Sequence, residues 1–259
     1  MQGDEVRKLK DCVGSSRALS EALQENGAAH KNYKTYTSME RALGLLQSGQ
    51  LYLFDGSKWN DTCDQKAMKT KGTFAKSFSW STTENIAMWM LYGGSKGKKG
   101  AMLNFYPSTI EELMSLKNID LGSFEVNGKF KVANTLSAPD DYKIFVTDVI
   151  YTEDCKDEKV KLTLGDDHIT ASKTVLDDNN IFCKKYPWSY ERECRLVVDL
   201  SETWKEQAAR DRLTCVRLTI SEPSLRRLRA DRLIRSPIYS NGADNGKPSL
   251  LTGDVEWDL

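Results

Sequence analysis

The chain has 259 residues, of which 39% are hydrophobic and 29% charged, proportions that fit a folded protein with a real core. Its 37 basic and 37 acidic residues cancel to a formal charge of +0, so no global field draws it onto nucleic acid or an anionic membrane. No apolar run reaches the length of a membrane span and the first residues lack the apolar core of a signal peptide, so the expected compartment is cytoplasmic.

Residues 1–32 read as an N-terminal helical leader with a weak apolar face of Leu9, Val13, Leu19 and Leu23. The stretch 26–30 breaks it, and His30 in that break reads as solvated. Residues 33–259 are expected to form a single domain. Residues 33–37 alternate like a strand, Ser38 is placed to cap a helix over Met39, Ala42, Leu43 and Leu46, and Gly49 is placed to end it. Residues 51–54 give a second strand. The loop that follows holds Asn60 and Asp61, both turn formers, and Trp59, whose ring is expected to fold back onto the body.

Residues 74–80 alternate as a third strand. Phe74, Phe78 and Trp80 share one face, interrupted by Lys76, while Ala75, Ser77 and Ser79 line the other. A small, hydroxylated face admits a ligand close to the backbone, and it equally permits tight packing. Residues 81–84 resemble a capping box for a helix bearing Ile86, Met88, Trp89 and Tyr92, stopped by Gly93 and Gly94. Tyr92 either packs in the core or presents its ring and hydroxyl to a cleft.

A basic loop at 95–100 has no phosphate-loop spacing. A strand at 101–106 follows, then a helix expected to be capped by Ser108. Asn127-Gly128 marks a hairpin between strands around 124–126 and 130–132. Residues 144–151 read as one long strand, residues 153–161 as a solvated charged stretch, and residues 171–180 as a helix. Farther on, 213–220 is a strand and Glu222-Pro223 opens a helix. Arg226, Arg227, Arg229, Arg232 and Arg235 make the most basic local run; it reads as an RNA or phosphate contact or as a solvated helix face. A last strand is expected at 233–239. The six cysteines are scattered without a C-x-x-C pair, which argues against a zinc site and, in a reducing compartment, against disulfides.

The stretch from Tyr186 to Leu200 organises the rest. Pro187 places the start of a strand after it. With alternation running from Glu191, the side chains of Glu191, Glu193 and Arg195 share one face, and the two carboxylates lie about 7 Å apart at the backbone. Such a pair either divides two roles at one substrate or forms a charged stripe on an edge strand. Interleaved helices and hairpins give the fold class α+β, one domain with mixed or antiparallel sheets.

Four signals stand in order: Asn60-Asp61; Ser77-Phe78-Ser79; Met88-Trp89-Met90-Leu91-Tyr92; and Trp188-Ser189-Tyr190-Glu191-Arg192-Glu193-Cys194-Arg195. Together they resemble a bacterial domain-of-unknown-function family with the pattern N-D, S-F-S, M-W-x-x-Y, V-x-Y, then K and W-x-Y-E-x-E-x-R. Val149-Ile150-Tyr151 fits the V-x-Y element, and Lys184 or Lys185 the lysine. The layout is distantly similar to ADP-ribosyltransferases, among them toxins and phage-defence factors that modify nucleic acid or protein.

That resemblance implies a transferase with NAD as substrate and a nucleic-acid or protein acceptor. It implies Glu193 as the late catalytic glutamate and Glu191 as the upstream one. Ser77 and Ser79 would stand on the middle strand of the cofactor site and Tyr92 near the nicotinamide, with Trp188 on a flat ring. Arg195 would hold a phosphate or pair with Glu193. The first strand, where such enzymes carry Arg or His, offers Lys34, Tyr36 and Thr37, so Tyr36 and Thr37 take the cofactor-binding positions there. The competing expectation is a non-catalytic module that binds a nucleotide, nucleic acid or protein partner, with the two glutamates, Arg195 and Asn60-Asp61 as a polar network fixing loops around a pocket.

Overall fold

The computed structural model describes residues 14–57, 59, 64–66, 68, 72–94, 99–153, 159–164, 167–172 and 180–236. Six α-helices and fourteen strands have described bounds. The order is α1 (Ser16–Ala28), β1 (Tyr33–Ser38), α2 (Met39–Ser48), β2 (Gln50–Phe54), β3 (Thr73–Ser79), α3 (Ile86–Tyr92), β4 (Gly100–Phe105) and α4 (Pro107–Met114). Then come β5 (Ile119–Phe124), β6 (Phe130–Leu136), β7 (Tyr142–Asp148), β8 (Ile150–Thr152), β9 (Lys159–Leu164), β10 (Asp167–Ser172), β11 (Cys183–Lys185) and β12 (Glu193–Leu200). The described chain closes with α5 (Glu202–Arg210), β13 (Cys215–Thr219), α6 (Glu222–Asp231) and β14 (Leu233–Arg235). Helices and mixed sheets interleave in one α+β domain, the class that the alternating periodicities predict.

The larger sheet runs β14-β4-β1-β3-β2-β13-β5-β6, with β12 and then β7 branching from β3. Strand β3 is its hub. One edge pairs with β12 along its whole length, from Glu193↔Ser79 to Asp199↔Thr73. The other edge meets β1 only at Lys34↔Ser79 and β2 only at Ala75↔Phe54. Residues 76–78 therefore have no paired strand on that side among the described residues, and the sheet is split there. The smaller sheet runs β10-β9-β8-β11, antiparallel except for the parallel β8/β11 pair.

Strand alternation divides the core into layers. Phe74 and Phe78 of β3, with Cys194, Leu196 and Val198 of β12, pack beneath Met39, Ala42 and Leu46 of α2, Ile110 and Leu113 of α4, and Leu225 and Leu228 of α6. Ala75 and Val197, on the opposite face, pack with Leu19 and Leu23 of α1 and with Ile150 and Leu162 of the smaller sheet. Helix α1 lies so close to β7 that a Cβ on Gly27 would sit 2.8 Å from the Thr147 backbone. Gly49 ends α2 at φ 69°, a left-handed conformation that glycine adopts without steric cost.

Several local expectations need correction. His30 is not solvated: its ring stacks on Trp80 at 4.9 Å and its Nε2 lies 2.5 Å from Asp148 Oδ1. The third helix is capped by Asn85 rather than Ser81, because the Asn85 side chain reaches the amides of Ala87 and Met88. Pro107, which needs no amide partner at the first position, opens α4 where Ser108 was expected to cap it. Residues 144–151 are not one strand: β7 lies in the larger sheet and β8 in the smaller, with the Val149 amide between them donating to the Glu193 carbonyl. Ala171 and Ser172 close strand β10 instead of opening a helix. Helix α5 lies in a stretch without strong sequence signals.

The arginine run resolves into local contacts. Arg226 and Arg229 pair with Glu222, Arg229 also donates to the Leu46 carbonyl, and Arg232 stacks 3.9 Å over the Tyr106 ring. Cys194 and Cys215 are buried free thiols, while Cys12, Cys63 and Cys155 lie outside the described residues. No described helix is long and apolar enough to cross a membrane.

Candidate functional site

The split beside β3 opens into a cleft of about 330 Å³. It is lined from β1 by Tyr36 and Thr37, from β3 by Ser77 and Ser79, from α3 by Tyr92, and from the late segment by Trp188, Glu191 and Glu193. The structure thus brings these eight sequence-predicted residues to one cavity. Asn60 and Asp61 lie outside the described residues. Arg195 does not line the cavity; it is fully buried behind Glu193.

The two glutamates meet by a different route from simple alternation. Residues Tyr186–Glu191 form a 3-10 turn, and Arg192 follows in the left-handed region at φ 43°. The strand begins only at Glu193. Ser79 donates its hydroxyl to the Glu191 carbonyl at 2.6 Å, and the Trp80 amide donates to the Arg192 carbonyl, so β3 pins the turn in place. Glu191 and Glu193 are 4% and 2% exposed.

Lys184 joins them. Its Nζ donates to Glu191 Oε2 at 2.6 Å and to Glu193 Oε2 at 3.1 Å, while its ammonium lies 4.9 Å from the Trp188 ring centre. Of the two candidate lysines, it is therefore Lys184 that turns inward, and Lys185 is exposed. Tyr92 donates its hydroxyl to Glu191 Oε1 at 2.8 Å. Glu193 Oε1 accepts from Ser77 at 2.5 Å and from Arg195 Nε at 2.7 Å. Arg195 continues to the Ile181 carbonyl and to Asp64 Oδ2, with its guanidinium 4.8 Å from the Trp59 ring. The Trp59 ring does pack onto the body.

Three carboxylates and two cations make up this buried cluster, and their titration separates accordingly. Burial alone would raise the pKa of Glu193, but Arg195, then Lys184, and the hydrogen bonds from Arg195 and Ser77 outweigh it and hold the group well below the usual carboxylate range. Burial, then the Glu193 charge, push Glu191 upward, only partly opposed by Lys184 and Tyr92. Burial likewise raises Asp64. The two glutamates are thus driven apart, one firmly ionised and the other more readily protonated.

Asp64, which stands in no motif, was not foreseen; Lys34 was named on the first strand without a role, and its ammonium donates to the carbonyls of Thr82 and Thr83. Tyr151 was noticed only as a motif position; its hydroxyl accepts the buried amide of Glu193 at 2.8 Å and ties the smaller sheet to the site. Lys76 was visible as a charge interrupting an apolar face, and it lines the cleft together with Arg41. Among the described residues no group of three or more His, Cys, Asp and Glu side chains is arranged to hold a metal ion. Comparison of this chain with protein-family models, with curated proteins and with solved structures finds no match.

Proposed function

We propose that this protein is an ADP-ribosyltransferase-like enzyme that takes NAD as substrate and transfers ADP-ribose to a nucleic-acid or protein acceptor, in the toxin or phage-defence setting that the motif resemblance implies. The observation that carries this reading is the meeting of Glu191, Glu193, Ser77, Ser79, Tyr92 and Trp188 in one cleft at the split of the sheet. In the reaction the bond between ribose and nicotinamide breaks, and nicotinamide leaves with the bonding pair. The ribose then carries oxocarbenium-like positive charge, which a fixed anionic wall stabilises. Glu193, held ionised, supplies that charge. A hydroxyl or amine of the acceptor forms the new bond to the ribose carbon, and its proton passes to the Glu191 carboxylate, whose raised pKa suits a base. Trp188 and Tyr92 offer aromatic faces to a flat ring.

A second reading draws on one specific observation: both oxygens of Glu193 are occupied, by Arg195 and Ser77 on one side and by Lys184 on the other. A carboxylate so fully paired is what a structural network requires, and it favours a non-catalytic module that binds a nucleotide, nucleic acid or protein partner in the same cleft.

Nicotinamide release and thermal melting, both measured with NAD, separate the readings. Release supports the transferase. A raised melting temperature without release supports a nucleotide-binding module, because a ligand that binds only the folded state stabilises it. Mass spectrometry of cellular nucleic acid and protein after expression, searched for added ADP-ribose, identifies the acceptor.

A further inference from the structure

The cleft has a second charged end. Arg41, in the first turns of α2, and Lys76, in the middle of β3, both line it. Neither the guanidinium of Arg41 nor the ammonium of Lys76 makes a hydrogen bond or ion pair with a described residue. This contrasts with Lys184 and Arg195, each engaged by at least two carboxylates. Strand alternation sets Lys76 on the face of β3 shared with Phe74 and Phe78, beneath α2, opposite Ser77 and its Glu193 partner. The cleft therefore reaches both faces of the sheet through the gap at residues 76–78.

Two adjacent like charges repel, and burial adds to the cost of keeping a lysine ionised. Burial, then the Arg41 charge, push Lys76 down to about 8. An anion seated between the two would relieve both effects. A guanidinium presents paired donors to phosphate oxygens, and an ammonium adds a point charge. Phe54, paired beside Ala75, supplies an apolar wall close by.

We propose that Arg41 and Lys76 form a phosphate subsite of the cleft, so that a nucleotide crosses the split with its phosphate on the α2 face and its other end beside Glu191 and Trp188. A phosphate subsite here specifies how the nucleotide reading above orients its ligand, and it rests on that reading only for what occupies the glutamate end. The arrangement also gives the cleft a direction among the described residues: cations without acidic partners at one end, a cluster with one more carboxylate than cations at the other.

Calorimetric titration of the full chain with ADP, adenosine and inorganic pyrophosphate tests this. The parent is expected to bind ADP at least about tenfold more tightly than adenosine, with the difference shrinking as salt rises. Arg41→Gln and Lys76→Met should each weaken ADP by about tenfold, the loss of one charge-assisted contact, and leave adenosine unchanged. Lys76→Arg, which keeps the charge, should restore most of the affinity. Melting without ligand shows that each variant is folded, and if Arg41→Gln does not fold, the Lys76 pair decides alone. Equal ADP affinity in parent and variants overturns the subsite, as does a parent that binds neither ADP nor pyrophosphate. Loss of ADP binding in the variants of a parent that releases no nicotinamide leaves the subsite standing and removes the transferase. Nicotinamide release with an unchanged KM for NAD in both variants does the reverse.

Discussion

Arg195 donates from Nε to Glu193 Oε1 at 2.7 Å, and the two side chains are 0% and 3% exposed. They stand two residues apart on one strand, so alternation alone sets them side by side. Removing one partner of a buried pair leaves the other charge under-compensated, and Arg195 would keep only Asp64. Glu193→Gln is therefore expected to lose about 3 kcal/mol of stability, read as a lower denaturation midpoint. If its charge also stabilises the oxocarbenium-like state, the folded variant should release nicotinamide on the order of 100- to 1000-fold more slowly. A variant that melts early yet, when folded, keeps the parental rate makes the pair purely structural.

Glu191 is held differently, and its variant should behave differently. Burial and the Glu193 charge raise its pKa, while Lys184 and Tyr92 restrain the rise. As a base it works only when ionised. Transfer to an acceptor should therefore increase with pH through a value above the ordinary carboxyl range, and Glu191→Gln should flatten that limb. The same change should impair transfer more than bare hydrolysis of the dinucleotide. Equal loss of both activities would assign Glu191 no separate role in accepting the acceptor's proton.

Besides Lys184 of β11, Tyr151 of β8 ties the smaller sheet to the site, through a hydrogen bond to the Glu193 amide. Tyr151→Phe keeps the ring but leaves that buried amide without its acceptor, a loss of about 1–3 kcal/mol. Urea unfolding at constant slope should show it; an unchanged midpoint would mean that water replaces the hydroxyl.

Lys76 sets an alkaline signature. Its pKa is about 8 in the folded protein, below the roughly 10.4 of an unfolded lysine. Between those values the unfolded chain holds the extra proton, so this group's contribution to stability grows as pH rises. The penalty is full below about 8 and is relieved above roughly 10.4. Lys76 stays partly open to the cleft, which moderates it. Lys76→Met should melt above the parent at neutral pH, with the gap closing at alkaline pH. A gap that does not change with pH would assign it to packing alone.

Much of this arrangement was legible in the sequence, because it is local. The capping Ser38 and the left-handed Gly49 bracket α2. The β3 alternation, which sets Phe74 and Phe78 against Ser77 and Ser79, follows from a two-residue period that any half-buried strand must obey. The Asn127-Gly128 turn lies between β5 and β6, with Gly128 at φ 78°. Eight of the residues picked out in the sequence, from β1, β3, α3 and the late segment, reach the cleft.

What only the tertiary structure decided is non-local or rests on a break in regular geometry. The left-handed Arg192 ends the turn before β12, so the orientation of Glu191 comes from Ser79, Tyr92 and Lys184 and not from alternation. The chain between β7 and β8 passes from one sheet to the other, although residues 144–151 read as one long strand. Asp64 joins Arg195 across 131 residues of sequence, and Arg41 of α2 and Lys76 of β3 come to line one cleft only in the folded chain. Periodicity tells which face of an element is apolar. It carries no information on which distant strand pairs along each edge, and here the cleft exists because β1 and β2 each touch β3 at a single point.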